Sequence, residues 1–75
     1  MIEIWSKPQC PFCDKAENLC KQKNFKYKKY MLDVDFSREE LVEKFPSART
    51  FPQITIDGEL IGGYTEFEAK VRLEE

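Results

Sequence analysis

Histidine is absent from the 75 residues, which removes the imidazole ligands that many closed zinc sites use. Long apolar runs are missing too. None approaches the roughly 20 residues needed to cross a bilayer, and Met1-Ile2-Glu3-Ile4 lacks the charged and apolar regions of a signal peptide. The chain is therefore expected to be soluble and cytoplasmic, with no membrane partner. Nor does one sign of charge dominate. Twelve basic residues against 14 acidic ones give a net charge of −2, with no general pull toward nucleic acid. Lys21, Lys23, Lys26, Lys28 and Lys29 form one basic stretch, read as a solvated face able to steer an acidic partner. Cysteine is too sparse for a stapled scaffold: there are three, one pair is close in sequence, and one sulfur is left over. In a reducing compartment a close pair points to chemistry. Repeats, linkers and low-complexity segments are lacking, and a chain of this length supplies one domain, residues 1–75, with no second core.

What is present reads as short, well-marked elements. Ile2-Glu3-Ile4-Trp5 is β-prone, and Ser6-Lys7-Pro8-Gln9 is a loop. From Pro11 the period changes, with Phe12/Cys13, Ala16 and Leu19/Cys20 recurring at helical spacing. Proline is favoured at a first helical position, and Lys21 and Lys23 suit the negative end of the helix, with Asn24 as its stop. Phe25 to Leu32 reads as a second strand. Ser37-Arg38-Glu39-Glu40 has the capping-box spacing ahead of Leu41, Val42 and Phe45, and Pro46 ends that helix. Residues 52–56 and 59–61 read as strands joined by the hairpin turn Asp57-Gly58. Thr65-Glu66-Phe67-Glu68 is a second capping box, with Tyr64, Phe67, Val71 and Leu73 expected to face inward. The order β-α-β-α-β-β-α predicts a right-handed parallel crossover and an antiparallel hairpin in one mixed four-stranded sheet, flanked by three helices.

Cys10-Pro11-Phe12-Cys13 falls where the first strand hands over to the first helix, the end at which open α/β sheets place their sites. A Cys-x-x-Cys beside a βαβ pattern in a cytosolic protein reads as a thioredoxin-like redox motif. The physical basis is the helix terminus. Its unpaired N–H groups and positive pole favour a thiolate at Cys10, and such sites bring a cysteine pKa to about 3.5–7.5. Cys13, one turn further in, is expected to be less exposed and to act as the resolving thiol. Two ordinary core cysteines are one alternative, and a structural metal half-site is the other. It needs four ligands, and Cys20 lies about 10.5 Å along the helix axis from Cys13. Cys20 itself reads as a small buried hydrophobe.

Over nearly the whole chain the sequence resembles the glutaredoxins, in Trp5-Ser6-Lys7-Pro8-Gln9-Cys10-Pro11-Phe12-Cys13, Thr50-Phe51-Pro52-Gln53-Ile54 and Ile61-Gly62-Gly63-Tyr64-Thr65-Glu66-Phe67. The resemblance implies a thioredoxin-like fold and a cis bond before Pro52, where residues alone would predict trans. It also implies a glutathione-dependent thiol–disulfide oxidoreductase with Cys10 and Cys13 as catalytic pair, glutathione as reducing co-substrate, and no bound cofactor or metal. Lys7 resembles the cation that meets the glycine carboxylate of glutathione. Phe51 would offer its backbone to the cysteinyl residue beside Thr50 and Pro52. Thr65 and Glu66 would receive the γ-glutamyl carboxylate and ammonium at the start of the last helix. Phe12, Gly63 and Tyr64 complete the glutathione set, Phe12 standing where many dithiol members carry tyrosine. Disulfide-containing or glutathionylated proteins, ribonucleotide reductase first among them, are the expected clients, and a monomer is expected. The alternatives are a thioredoxin-like donor fed by a flavoprotein reductase, a glutathione-ligated iron–sulfur carrier, which Pro11 argues against, and a redox-inert binding module.

Overall fold

Three local rules set most of the element boundaries. Pro11 opens a helix, α1 (Pro11–Gln22), whose far end closes with Asn24 at φ 58°. There Asn24 N–H reaches Lys21 O at 3.2 Å and Phe25 N–H reaches Cys20 O at 2.9 Å, the paired bonds of a Schellman cap. Ser37 accepts from Glu40 N–H at 3.1 Å while the Glu40 carboxylate accepts from Ser37 N–H at 3.3 Å. This completes the capping box of α2 (Arg38–Lys44). Asp57 and Gly58 both have positive φ, 52° and 86°, as a two-residue type I′ turn requires. They join β3 (Gln53–Ile56) to β4 (Glu59–Gly62). The remaining elements are β1 (Ile2–Ser6), β2 (Tyr27–Met31) and α3 (Tyr64–Leu73). This computed structural model describes residues 1–48 and 50–73.

The sheet order is β2-β1-β3-β4. β1 runs parallel to β2, with Ile2 opposite Tyr27 and Ser6 opposite Met31, and antiparallel to β3, with Ile4 opposite Ile54. Side chains of β1 alternate between two cores, as the period of two demands. Ile2 and Ile4 pack with Ile54 against Ala16 and Cys20 of α1 and Phe67 and Val71 of α3. Trp5 packs on the other face with Phe36, Leu41, Phe45 and Ala48, around α2. Burying a side chain such as Ile4, Ile54 or Phe67, each fully enclosed, contributes about 1.5–3 kcal/mol. Tyr27 and Lys29 tie β2 to α1 by donating to the two Glu17 carboxylate oxygens at 3.0 and 3.4 Å.

Three expectations are corrected. β2 begins at Tyr27, because Phe25 is consumed by the helix cap before the strand can start. α3 begins before Thr65: Gly63 O accepts the first helical bond from Phe67 N–H at 3.0 Å. Thr65 is thus a first-turn residue and not the N-cap. Leu73 is 86% exposed, since two residues beyond Val71 is about 200° around the helix, away from the core.

The Ser37 cap yields a measurable consequence. Ser37→Ala leaves Glu40 N–H without its acceptor and should cost about 1 kcal/mol. For a domain of this size that is a fall of about 4–8 °C in Tm by thermal denaturation.

Candidate active site

Cys10 is the N-cap of α1, with extended backbone at φ −118° and ψ 99°. Its carbonyl accepts from Cys13 and Asp14 N–H at 3.1 and 3.2 Å, so the helical ladder starts on this residue. Its sulfur accepts the Cys13 N–H at 3.2 Å, the position that a serine or aspartate oxygen fills in ordinary caps. Gln9 just before it sits at φ 56°, an uncommon conformation for a residue with a side chain, which turns the chain from β1 into the helix. Three residues apart on one helical turn, Cys10 and Cys13 are joined as a disulfide with Cα atoms 5.2 Å apart. Cys10 is 7% exposed and Cys13 1%, so both are largely shielded.

Phe12, between the two cysteines, was one of the residues placed by periodicity on the helix's apolar stripe. It is instead 52% exposed, because Cys13, Ala16 and Cys20 hold the inward positions. Its ring lies 6.0 Å from that of Tyr64 at the start of α3. The two rings line a groove of ≈ 230 Å³, to which the segment Thr50-Phe51-Pro52 contributes, as do Gly63, Thr65 and Glu66. The Phe51–Pro52 bond is cis. Buried Gln53 holds this segment by donating its side-chain amide to Thr50 O at 2.7 Å. Sequence reading named Gln53 only as part of a matching run. Its burial at the start of β3 is the signal for that holding role.

Nearby glycines divide in their reasons. Gly62 has φ 126°, and a Cβ there would meet the Glu66 side chain at 3.1 Å. It thus satisfies both a turn and a close approach. At Gly63 a Cβ would meet Pro52 O at 3.4 Å, an ordinary contact. The Tyr64 hydroxyl hydrogen-bonds Glu68, and this bond raises the phenol above its ordinary value. Lys7 lies outside the groove lining, with Nζ 5.9 Å from the centre of the Phe51 ring. Lys15, which the sequence did not single out, holds its Nζ 5.0 Å from the centre of the Phe12 ring. Its three-residue spacing from Phe12 was the available signal. Among the described residues no group of three or more Cys, Asp or Glu side chains is arranged to hold a metal ion.

Comparison with known proteins follows the same lines. The family model for glutaredoxin matches residues 2–61. A probable glutaredoxin of Synechocystis sp. is 38% identical over 69 residues, covering 91% of this chain and 78% of that protein. Glutaredoxin 3 of Escherichia coli is 32% identical over 68 residues, 91% of this chain and 82% of its own length. Among solved structures, the buckwheat glutaredoxin–glutathione complex superposes with a TM-score of 0.83 at 26% identity, covering 97% of this chain and 69% of that one. The sheet order and helix placement are those of the thioredoxin-like fold that the sequence resemblance implied.

The third cysteine behaves differently from the pair. Cys20 is free and fully buried, and burial, with the Glu17 carboxylate nearby, pushes its thiol up to about 11. With the disulfide reduced, iodoacetamide at pH 8 should label Cys20 only after unfolding, read as one extra adduct by mass spectrometry in denaturant.

Proposed function

The chain belongs to the glutaredoxin family of thiol–disulfide oxidoreductases, and from that membership we propose that it uses glutathione to reduce protein disulfides and glutathione mixed disulfides. The observation that carries the reading is the groove beside the Cys10–Cys13 pair, into whose lining the cis Phe51–Pro52 segment and the start of α3 are both drawn. A tripeptide with two carboxylates needs backbone partners and cations. The N–H groups of Thr65 and Glu66 precede the first bonded one, that of Phe67, and so are free of the helical ladder for the γ-glutamyl carboxylate. The Glu66 carboxylate suits the adjoining ammonium. The Phe51 backbone, presented by the cis bond, suits antiparallel pairing with the cysteinyl residue. Lys7, beside Phe51, suits the glycine carboxylate.

Cys10 acts as nucleophile in this reading. In the disulfide state its sulfur accepts the Cys13 N–H at the positive end of α1, a setting that would stabilise negative charge on the reduced sulfur. The Cys10 thiolate attacks a substrate disulfide, forming a mixed disulfide and releasing one thiolate, which takes a proton from solvent. Cys13, deprotonated, attacks the Cys10 sulfur and expels the second substrate thiolate, leaving the Cys10–Cys13 disulfide. One glutathione thiolate then attacks Cys10 and frees Cys13, and a second attacks the resulting mixed disulfide to give glutathione disulfide and the reduced pair. Two glutathione thiols are oxidised for each substrate disulfide reduced. Glutaredoxins sit at about −200 to −230 mV, close to the cytosolic glutathione couple. Ribonucleotide reductase is the protein client we place first, in the cytoplasm and with the chain acting as a monomer.

Glutathione-dependent reduction of a small mixed disulfide, coupled to glutathione reductase, tests this directly. Cys10→Ser should abolish turnover, Cys13→Ser should retain it while losing reduction of protein disulfides, and Glu66→Gln should raise the KM for glutathione about fivefold. A wild type that ignores glutathione yet is reduced by a flavoprotein reductase would move the assignment to a thioredoxin-like donor.

A further inference from the structure

Two of the groove's aromatic rings each carry a lysine. Lys15 Nζ stands 5.0 Å from the Phe12 ring centre and Lys7 Nζ 5.9 Å from that of Phe51, and both rings line the groove. Both lysines are exposed, and neither has a carboxylate partner among the described residues. The acids closest to Lys15 in sequence are engaged elsewhere. Asp14 meets Lys29 at 3.6 Å, and Glu17 takes Lys29 and the Tyr27 hydroxyl on the β2 side of α1. Glu66, the groove's own carboxylate, is contributed by α3. The chain as a whole is acidic, at −2, so positive charge without a counter-ion at this mouth is a local arrangement and not the overflow of a basic protein.

We propose that Lys15 selects protein clients whose target cysteine is flanked by acidic side chains, while Lys7 stays with the glutathione carboxylate. This rests on the thiol–disulfide exchange reading and adds the client's local charge to it. A small disulfide gains nothing from Lys15. A polypeptide joined to the glutathione held in the groove brings its flanking residues over Phe12, into reach of the Lys15 ammonium. The ring contact holds this ammonium in place without neutralising it. Opposite charge at such a rim acts mainly on encounter and register, and weakens with salt. The long basic stretch from Lys21 to Lys29 is a poorer candidate for this work, since Lys29 is paired and Lys28 lies over Tyr30, away from the groove lining.

The test uses glutathionylated peptides identical except for Glu, Gln or Lys on both sides of the cysteine, turned over by the full chain and by Lys15→Gln and Lys15→Arg. At about 20 mM ionic strength the wild type should show kcat/KM in the order Glu, Gln, Lys. The Glu-to-Gln ratio should be about three- to fivefold, expressed in KM, and should collapse toward one at about 0.5 M. Lys15→Gln should lower the ratio at least twofold, and Lys15→Arg should restore it. Turnover of all three peptides at equal kcat/KM, or a ratio unmoved by Lys15→Gln, overturns the charge selection while leaving exchange intact. A wild type that turns over none of the peptides overturns the exchange reading, and the selection with it.

Discussion

The bond on which the site depends is the one from Cys13 N–H to the Cys10 sulfur. It makes a cysteine the cap of the first helix, so the group proposed as nucleophile is also the group that terminates the helix. Everything around it enforces that position. Pro11 has no N–H to compete for the sulfur, and its ring fixes the backbone angle at which a helix begins. Gln9 at positive φ supplies the turn out of the central strand. Moving the helix start by one residue would put the sulfur on a different face and leave an orphan N–H.

β1 holds this turn still because both of its faces are buried. Ile2 and Ile4 bind it to α1 and α3, and Trp5 binds it to the aromatic cluster around α2, stacked on Tyr30 with ring centres 4.4 Å apart. Parallel pairing with β2 and antiparallel pairing with β3 leave the strand no edge. A strand fixed on four sides gives the cap at its end little freedom, and such positioning is what a site built on a rigid element offers. α3 depends on the same core through Phe67 and Val71, so the groove's two sides, one on α1 and one on α3, share a foundation.

Features governed by local rules were legible in the sequence. Pro11, the Ser37–Glu40 box and Asp57-Gly58 each act within four residues, and each produced the predicted element. Features that depend on competition between neighbouring rules were not. Thr65–Glu68 has a valid capping pattern, but the chain leaves Gly62 already reversed, and Gly63 O takes the first bond before Thr65 can. Phe25 has strand propensity and is claimed by the end of α1. Phe12 fits the apolar period, yet at the first turn there is no core beneath it to fill, and it becomes part of the groove instead. The cis bond before Pro52 came from resemblance alone. Nothing in Thr50-Phe51-Pro52 alone distinguishes it from a trans segment.

The division of labour proposed for the two sulfurs follows from the helix more than from exposure. Both are largely shielded, and the difference between 7% and 1% exposed is too small to separate an attacking thiol from a resolving one. The helix separates them. Cys10 faces the free end, where N–H groups and the positive pole converge. Cys13 uses its own N–H to hold its partner's sulfur, and its side chain sits among Ala16 and the inward stripe of α1. Cys20, two turns further along, shows the limit of that trend. Removed from the terminus and enclosed in the core, it has its thiol pushed up to about 11 by burial. In the proposed mechanism the same side chain passes along one helix from nucleophile to resolving thiol to inert filling, and distance from the N-terminus is the variable that changes.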